Sequence, residues 1–281
     1  MSHSSYAATT RSRMMRRQRF RFPRLWPRAR QRAFRALRAA PPLLRLVVAA
    51  IVAAGLWAAA NWIYQAVHKP TELLFPVSGT LTKTPSQTWR DYEPQFRKYA
   101  TAVLTPELLA ALAQVESAGN PLAQTYWQWH LTWHPFELYR PASSAVGMYQ
   151  ITDATFAQTK PECLYEPSVP KDDFMRARGF CWFDGLYARA VPSHAVELTA
   201  RLLDRGVATT LKRQRIATAT LQHKQDLAAV IHLCGAGTGE TYAKHGFRLT
   251  PGQRCGAHDV SAYVGRVNSM KRLFARLASD P

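Results

Sequence analysis

Apolar positions along the chain fall into two regimes. Leu46 to Ile63 is one apolar run broken only by Asn61, and 18 residues at helical rise reach the roughly 17 to 25 that a bilayer crossing takes. From about residue 91 onward the pattern becomes short stripes at helical spacing. One helix is predicted to start at Thr105 as cap, with Pro106 in its first turn and Glu107 near the positive end of the helix dipole, and to end at Gly119-Asn120-Pro121. A second is predicted after Pro192, with Ser193 as cap and Val196, Leu198, Leu202 and Leu203 on its inner face, stopping at Gly206. The stretch LQHKQDLAAVIHLCG predicts a third through Leu227, Val230, Ile231 and Cys234, and a last amphipathic helix is predicted from about Val260 to Leu277 with Val264, Val267 and Phe274 in its stripe. No run of strand alternation and no fixed repeat is present, so the fold class is mainly α. Residues 68–90, rich in Pro, Ser and Thr without helical period, predict a tether. The expected organisation is 1–45 an Arg-rich segment, 46–67 a membrane anchor, 68–90 a linker and 91–281 the folded domain.

Charge sharpens the topology. The net charge is +19, but residues 1 to 45 hold 13 of the 37 basic residues and none of the 18 acidic ones, which leaves 24 basic against 18 acidic, a balance of +6, for the rest. Arginine before the apolar run and none close after it predicts a cytoplasmic N-terminus by the positive-inside rule. Trp57, Trp62 and Tyr64 crowd the far end, as in an interfacial aromatic belt. A single pass through the inner membrane is expected, with everything from about Lys69 onward on the far side. Two other readings exist: a signal peptide cleaved near Ala58 and Ala60, and a nucleic-acid-binding arm with Phe20, Phe22 and Trp26 between its arginines. A topogenic, lipid-contacting arm is preferred, and no nucleic-acid partner is expected.

Four cysteines, Cys163, Cys181, Cys234 and Cys255, all follow the apolar run, and an even number in an exported domain favours disulfides. Nearest-neighbour pairing, Cys163 with Cys181 and Cys234 with Cys255, is expected. A zinc site built from His232, Cys234, Cys255 and His258 is the alternative, but the spacings match no common finger, so neither metal nor cofactor is expected. The aromatic segment YWQWHLTWHPFELYR, residues 126–140, suits either a sugar-binding groove or ordinary packing.

The most informative acid is Glu116. Ala113, Leu112 and Leu109 precede it by three, four and seven residues and share its helix face. A carboxyl group among apolar neighbours is expected to have a raised pKa, the condition for donating a proton at neutral pH. Glu116 opens the stretch ESAGNP, Glu116 to Pro121, and SSAVGMYQIT, Ser143 to Thr152, follows 31 residues from Glu116 to Gly147. Together, in this order, the two resemble the paired motifs of the soluble lytic transglycosylase family, over roughly 180 residues. The resemblance implies a fold similar to goose-type lysozyme, Glu116 as catalytic acid and base, and Ser144, Gly147, Met148, Tyr149 and Gln150 beside the sugar. The family's third element, A-Y-N-A-G, is only partly matched by LCGAG, Leu233 to Gly237, with Cys234 and Gly235 in its polar places. Its fourth is matched by Tyr263-Val264, and there the resemblance implies a hydrogen bond from Tyr263 to Glu116, which would lower the acid's pKa.

An ordinary glycosidase flanks its bond with two carboxylates. Only one acid lies within these motifs, while Asp153, Glu137 and Glu162 have simpler roles open to them. The resemblance implies that one glutamate acts twice on peptidoglycan, cleaving after N-acetylmuramic acid to leave a 1,6-anhydro end. Peptidoglycan strands, the inner membrane and an envelope-spanning secretion or division assembly are the implied partners. A hydrolytic muramidase and a wall-binding scaffold without turnover are the alternatives.

Overall fold

The computed structural model describes residues 38–159 and 189–279. The Arg-rich arm up to residue 37, the Cys163–Cys181 pairing and Glu162 lie outside the described residues. The chain divides into two compact units, Met1–Ala58 and Ala59–Pro281. Helix α1, Pro42–His68, begins in the first and ends in the second. It is apolar on all sides and none of its most apolar stretch is buried, which fits an anchor or a signal sequence.

The described residues of the second unit are mainly helical. After α1 the segment expected to be a tether forms three short helical turns, Pro70–Leu74, Phe75–Ser78 and Gly79–Leu81. Helix α2, Pro85–Tyr99, starts inside that same segment. Its signal is a capping box: the Thr84 hydroxyl accepts from the Gln87 backbone, and the Gln87 side chain accepts from the Thr84 N–H. A Pro- and Thr-rich stretch is thus the entrance to a helix.

Helix α3, Pro106–Ser117, is the centre of the fold, with Leu108 through Ala113 buried. Thr105 caps it as expected. It ends where Ala118 turns left-handed (φ 53°) and the N–H groups of Ala118 and Gly119 return to the carbonyls of Gln114 and Ala113. The hairpin of β1, Trp127–Trp129, and β2, Tyr139–Pro141, pairs Trp129 with Tyr139 and Trp127 with Pro141. Helix α4, Asp153–Thr159, follows. Helix α5, Pro192–Arg213, differs from expectation at both ends. Val191 rather than Ser193 is its cap, because Pro192 already sits in the first turn. Gly206 does not stop it: a Cβ there would lie 3.4 Å from Ile231, so the glycine lets the next helix approach while buried Val207 and Thr210 hold the last turns. That neighbour is α6, Leu221–Cys234, followed by α7, Ala236–Lys244. A short hairpin, β3 Arg254–Cys255 with β4 His258–Asp259, leads into α8, Val260–Ser279, which packs along α3.

Phe96, Leu104, Leu109, Leu112, Leu227 and Phe274 are among the wholly buried side chains around α3, each leucine contributing about 1.5–3 kcal/mol by leaving water. Cys234 and Cys255 form a disulfide across a Cα separation of 5.5 Å, joining the end of α6 to β3. The zinc alternative fails here, because its two sulfurs are bonded to each other.

Candidate active site

Three helices distant in sequence bring their side chains to one carboxyl oxygen. Glu116 is the penultimate residue of α3, and its side chain is 16% exposed. Tyr263, in the first turn of α8, donates its hydroxyl to Glu116 Oε1 at 2.5 Å. His232, near the end of α6, places Nε2 3.5 Å from the same oxygen. Burial pushes the Glu116 carboxyl up, but His232 first, then Tyr263 and the charge interaction with His258, outweigh it and leave the group below its ordinary value. The rise expected from Leu109, Leu112 and Ala113 is therefore overturned. Those three are wholly buried as foreseen; the opposing groups arrive from other helices. Burial, reinforced by the Glu116 charge, holds the Tyr263 phenol well above 10, so it keeps its proton and remains a donor.

Ser117 locks this helix end to the second motif, its hydroxyl lying 3.0 Å from the Met148 carbonyl and 3.2 Å from that of Ala113. Gly147 adopts φ +81°, and a Cβ there would lie 2.0 Å from the Arg189 carbonyl oxygen. Its N–H donates to Ala123, and the Gln150 amide donates to the carbonyls of Ala123 (3.2 Å) and Gly147 (3.0 Å). Not all the residues matched to the second motif face a ligand. Met148 and Tyr149 are wholly buried, and the Tyr149 hydroxyl donates to the Leu109 carbonyl at 3.2 Å, so their side chains support α3 from within the core. Ser144 accepts from the Asp153 N–H at 3.0 Å and starts α4. Tyr263, 2% exposed, grips the acid rather than lining the groove.

A cleft of about 290 Å³ opens beside Glu116, walled by Ser117, Asn120, Gln124, Gln150 and the Ser78–Thr82 strap. Asn120 fastens that strap by donating to the Ser78 carbonyl, and Gln124 fastens the preceding turn by donating to that of Thr71. Among the described residues Glu116 is the one acid in this lining. Asp153 is paired with Arg189 at 2.6 Å and Glu137 with Arg140 at 3.6 Å. A larger cavity of about 600 Å³ lies between Val115 and the Ala262–Met270 face of α8, but it is lined by Arg266 and no carboxylate, so it offers no acid chemistry. Sequence reasoning missed His232 as a partner of Glu116, and also Asn120, Gln124 and the strap. The signal for His232 was its place three and four residues after Ala229 and Ala228, both buried on α6. The other aromatic segment contributes little here: Trp129 and Trp133 are exposed and line neither cavity.

Residues 95–219 match the family model of the transglycosylase SLT domain. The chain carries an SLT transglycosylase domain. The matched span takes in Glu116 and both leading motifs, while His232, the LCGAG stretch and Tyr263 lie beyond it. A comparison with curated proteins finds no match. An SLT domain implies peptidoglycan binding and a lytic-transglycosylase type of peptidoglycan-degrading activity, and the Cys234–Cys255 disulfide points to an extracytoplasmic setting for it.

Proposed function

We propose that residues 91–281 form a lytic transglycosylase held by α1 at the outer face of the inner membrane, with the N-terminus cytoplasmic, and that Glu116 is its one acid and base. The carrying observation is the solitary carboxylate in the cleft, gripped at Oε1 by Tyr263 and faced there by His232. Oε2 takes part in neither contact and is the oxygen assigned to the substrate.

In the first step protonated Glu116 gives its proton to the glycosidic oxygen between N-acetylmuramic acid and N-acetylglucosamine, and the C1–O4 bond breaks. In the second, the resulting carboxylate takes the proton of the muramoyl 6-hydroxyl as O6 bonds to C1, giving the 1,6-anhydro end and returning Glu116 to its acid form. An internal nucleophile makes a second carboxylate unnecessary, because proximity replaces activation of a water molecule. The first step needs the protonated acid, which His232 and Tyr263 disfavour and burial favours. A bound glycan strand displaces water from the open side and strengthens the burial contribution, the one that raises the pKa.

The test is mass spectrometry of muropeptides released from purified walls. An anhydromuramoyl end supports the proposal and a reducing end marks hydrolysis instead. Glu116→Gln should slow release by about 10²–10⁴-fold, the usual worth of a positioned acid or base. The depressed acidity range of Glu116 and the Cys234-Gly235 departure in the third motif favour one other reading, a wall-binding scaffold. Equal wall-clearing traces for wild type and Glu116→Gln would select it.

A further inference from the structure

The last turns of α1 lie in the same compact unit as the Trp-rich hairpin, and their polar side chains are spent on it. Asn61 Nδ2 donates to the Tyr139 carbonyl and Gln65 Nε2 to the Phe136 carbonyl, each at 2.7 Å. The Tyr64 ring stacks on Phe136 with centroids 5.5 Å apart. Asn61 and Gln65 are both buried, so the two bonds they donate fix the hairpin to the helix away from water. This also accounts for Asn61, the one polar residue in the apolar run. The hairpin's largest outward-facing side chains are apolar, with exposed His134 and the partly exposed Glu137–Arg140 pair beside them. Leu131 and Trp133 are fully exposed, Trp129 is 68% exposed, and on α1 itself Ile63 and Val67 are more than half exposed. Buried amides on the helix side and three large apolar side chains clustered on the outer side depart from the usual solvated surface, and the few charged neighbours suit a headgroup layer rather than hydrocarbon.

We propose that the hairpin and the last turns of α1 form one interfacial belt, with Trp129, Leu131 and Trp133 seated at the headgroup–acyl boundary of the bilayer that α1 crosses. The inference rests on α1 being retained as the anchor. The apolar run ends at Ile63, so Asn61 and Gln65 stand where an anchored helix leaves the hydrocarbon, and they hold the hairpin at that level. Indole rings are favoured there, since each has an apolar body and one polar N–H. A glycan strand is the competing occupant, as sugar faces stack on aromatic rings. Leu131, Ile63 and Val67 offer no such ring, and neither Trp129 nor Trp133 lines the cleft at Glu116. The belt keeps the cleft near the membrane, so the substrate is glycan close to the bilayer rather than anywhere within reach of a long tether.

The test places the photoreactive residue p-benzoylphenylalanine singly at Ile51, Trp133 or Leu221 in the full chain. The chain is reconstituted in liposomes of phosphatidylethanolamine and phosphatidylglycerol with soluble glycan strands added. Lipid adducts at positions 51 and 133, and none above background at exposed Leu221, are expected. Adducts at 51 with glycan adducts only, or none, at 133 overturn the belt while leaving the anchor standing. Lipid adducts at 133 without them at 51 remove the anchor and overturn the belt with it, since the belt is set by the bilayer that α1 crosses. Absence at both positions overturns both.

Discussion

Gly147 offers a direct measure of how tightly the second motif is built against its neighbours. An alanine Cβ at this position would sit 2.0 Å from the Arg189 carbonyl oxygen and 3.3 Å from that of Pro121, with the backbone held at φ +81°. Keeping an L-residue left-handed costs about 1–2 kcal/mol, and forcing an atom into filled space costs about 1–3 kcal/mol more. The colliding atoms belong to backbone, which cannot rotate aside. Gly147→Ala should therefore destabilise by about 2–5 kcal/mol. Gly252 is the control, with φ +72° and nothing within 4 Å of the same added atom, so Gly252→Ala carries a positive-φ cost without the crowding. At about 2–4 °C per kcal/mol for a domain of this size, Gly147→Ala should lower Tm by about 4–20 °C and by clearly more than Gly252→Ala. Thermal unfolding of the detergent-solubilised full chain, followed by near-UV circular dichroism, supplies both numbers. Equal shifts for the two variants would refute the argument from crowding.

Tyr263→Phe removes the donor at Glu116 Oε1, so the carboxyl's proton affinity rises and the alkaline limb of log kcat/KM should move to higher pH; a limb that stays put or falls sinks the positioning role of Tyr263. Glu116 is depressed in the folded state, so its contribution to stability is fully present above the unfolded carboxyl value near 4.5 and is lost as pH falls through the lower folded value. Urea titrations from pH 7 downward should show the stability of wild type relative to Glu116→Gln declining only in that acidic window, and a flat difference would contradict the shift. The Cys234–Cys255 bond spans a sequence separation of 21 residues, a loop whose closure is worth about 3 kcal/mol; Cys234→Ser should lower the urea midpoint accordingly, and unaltered unfolding with no free thiol released in wild type on reduction would refute the bond.

What could be read from the sequence is what local spacing determines. The α3 face that carries Leu109, Leu112, Ala113 and Glu116 follows from 3.6-residue periodicity, and Thr105-Pro106 marks its start because one side chain satisfies a free N–H of the first turn. The hairpin was hidden because three residues per strand, Trp127–Trp129 against Tyr139–Pro141, are too few to show alternation. The strap was hidden because its anchors, Asn120 to Ser78 and Gln124 to Thr71, join residues more than 40 positions apart. Met148 and Tyr149 show a subtler limit: a motif records which residues occur together, while burial decides which of them can touch a ligand. Tyr263 was reached only through resemblance, and spacing could put His232 on the buried face of α6 but not beside Glu116, since the two lie on separate helices that meet α3 only in the folded core.

That convergence bears on why one carboxylate can serve twice. On the proposed mechanism Glu116 is an acid before the bond breaks and an anion between the two proton transfers. Burial at the end of α3 favours the first form, and the Tyr263 hydroxyl with His232 at Oε1 favours the second. Neither influence alone suits both steps: without the burial the proton is not available, and without the two polar partners the anion left behind is too costly to form. The partners sit on one oxygen and come from helices tied to the core through Phe274 on α8 and Leu227 on α6, so they need not move as charge appears, which is the condition under which fixed dipoles lower a barrier. The variable element is then the open cleft. A glycan strand that fills it expels water and shifts the balance towards the acid, making the proton available where substrate is present, and the carboxylate reverts to its anionic preference when the product leaves.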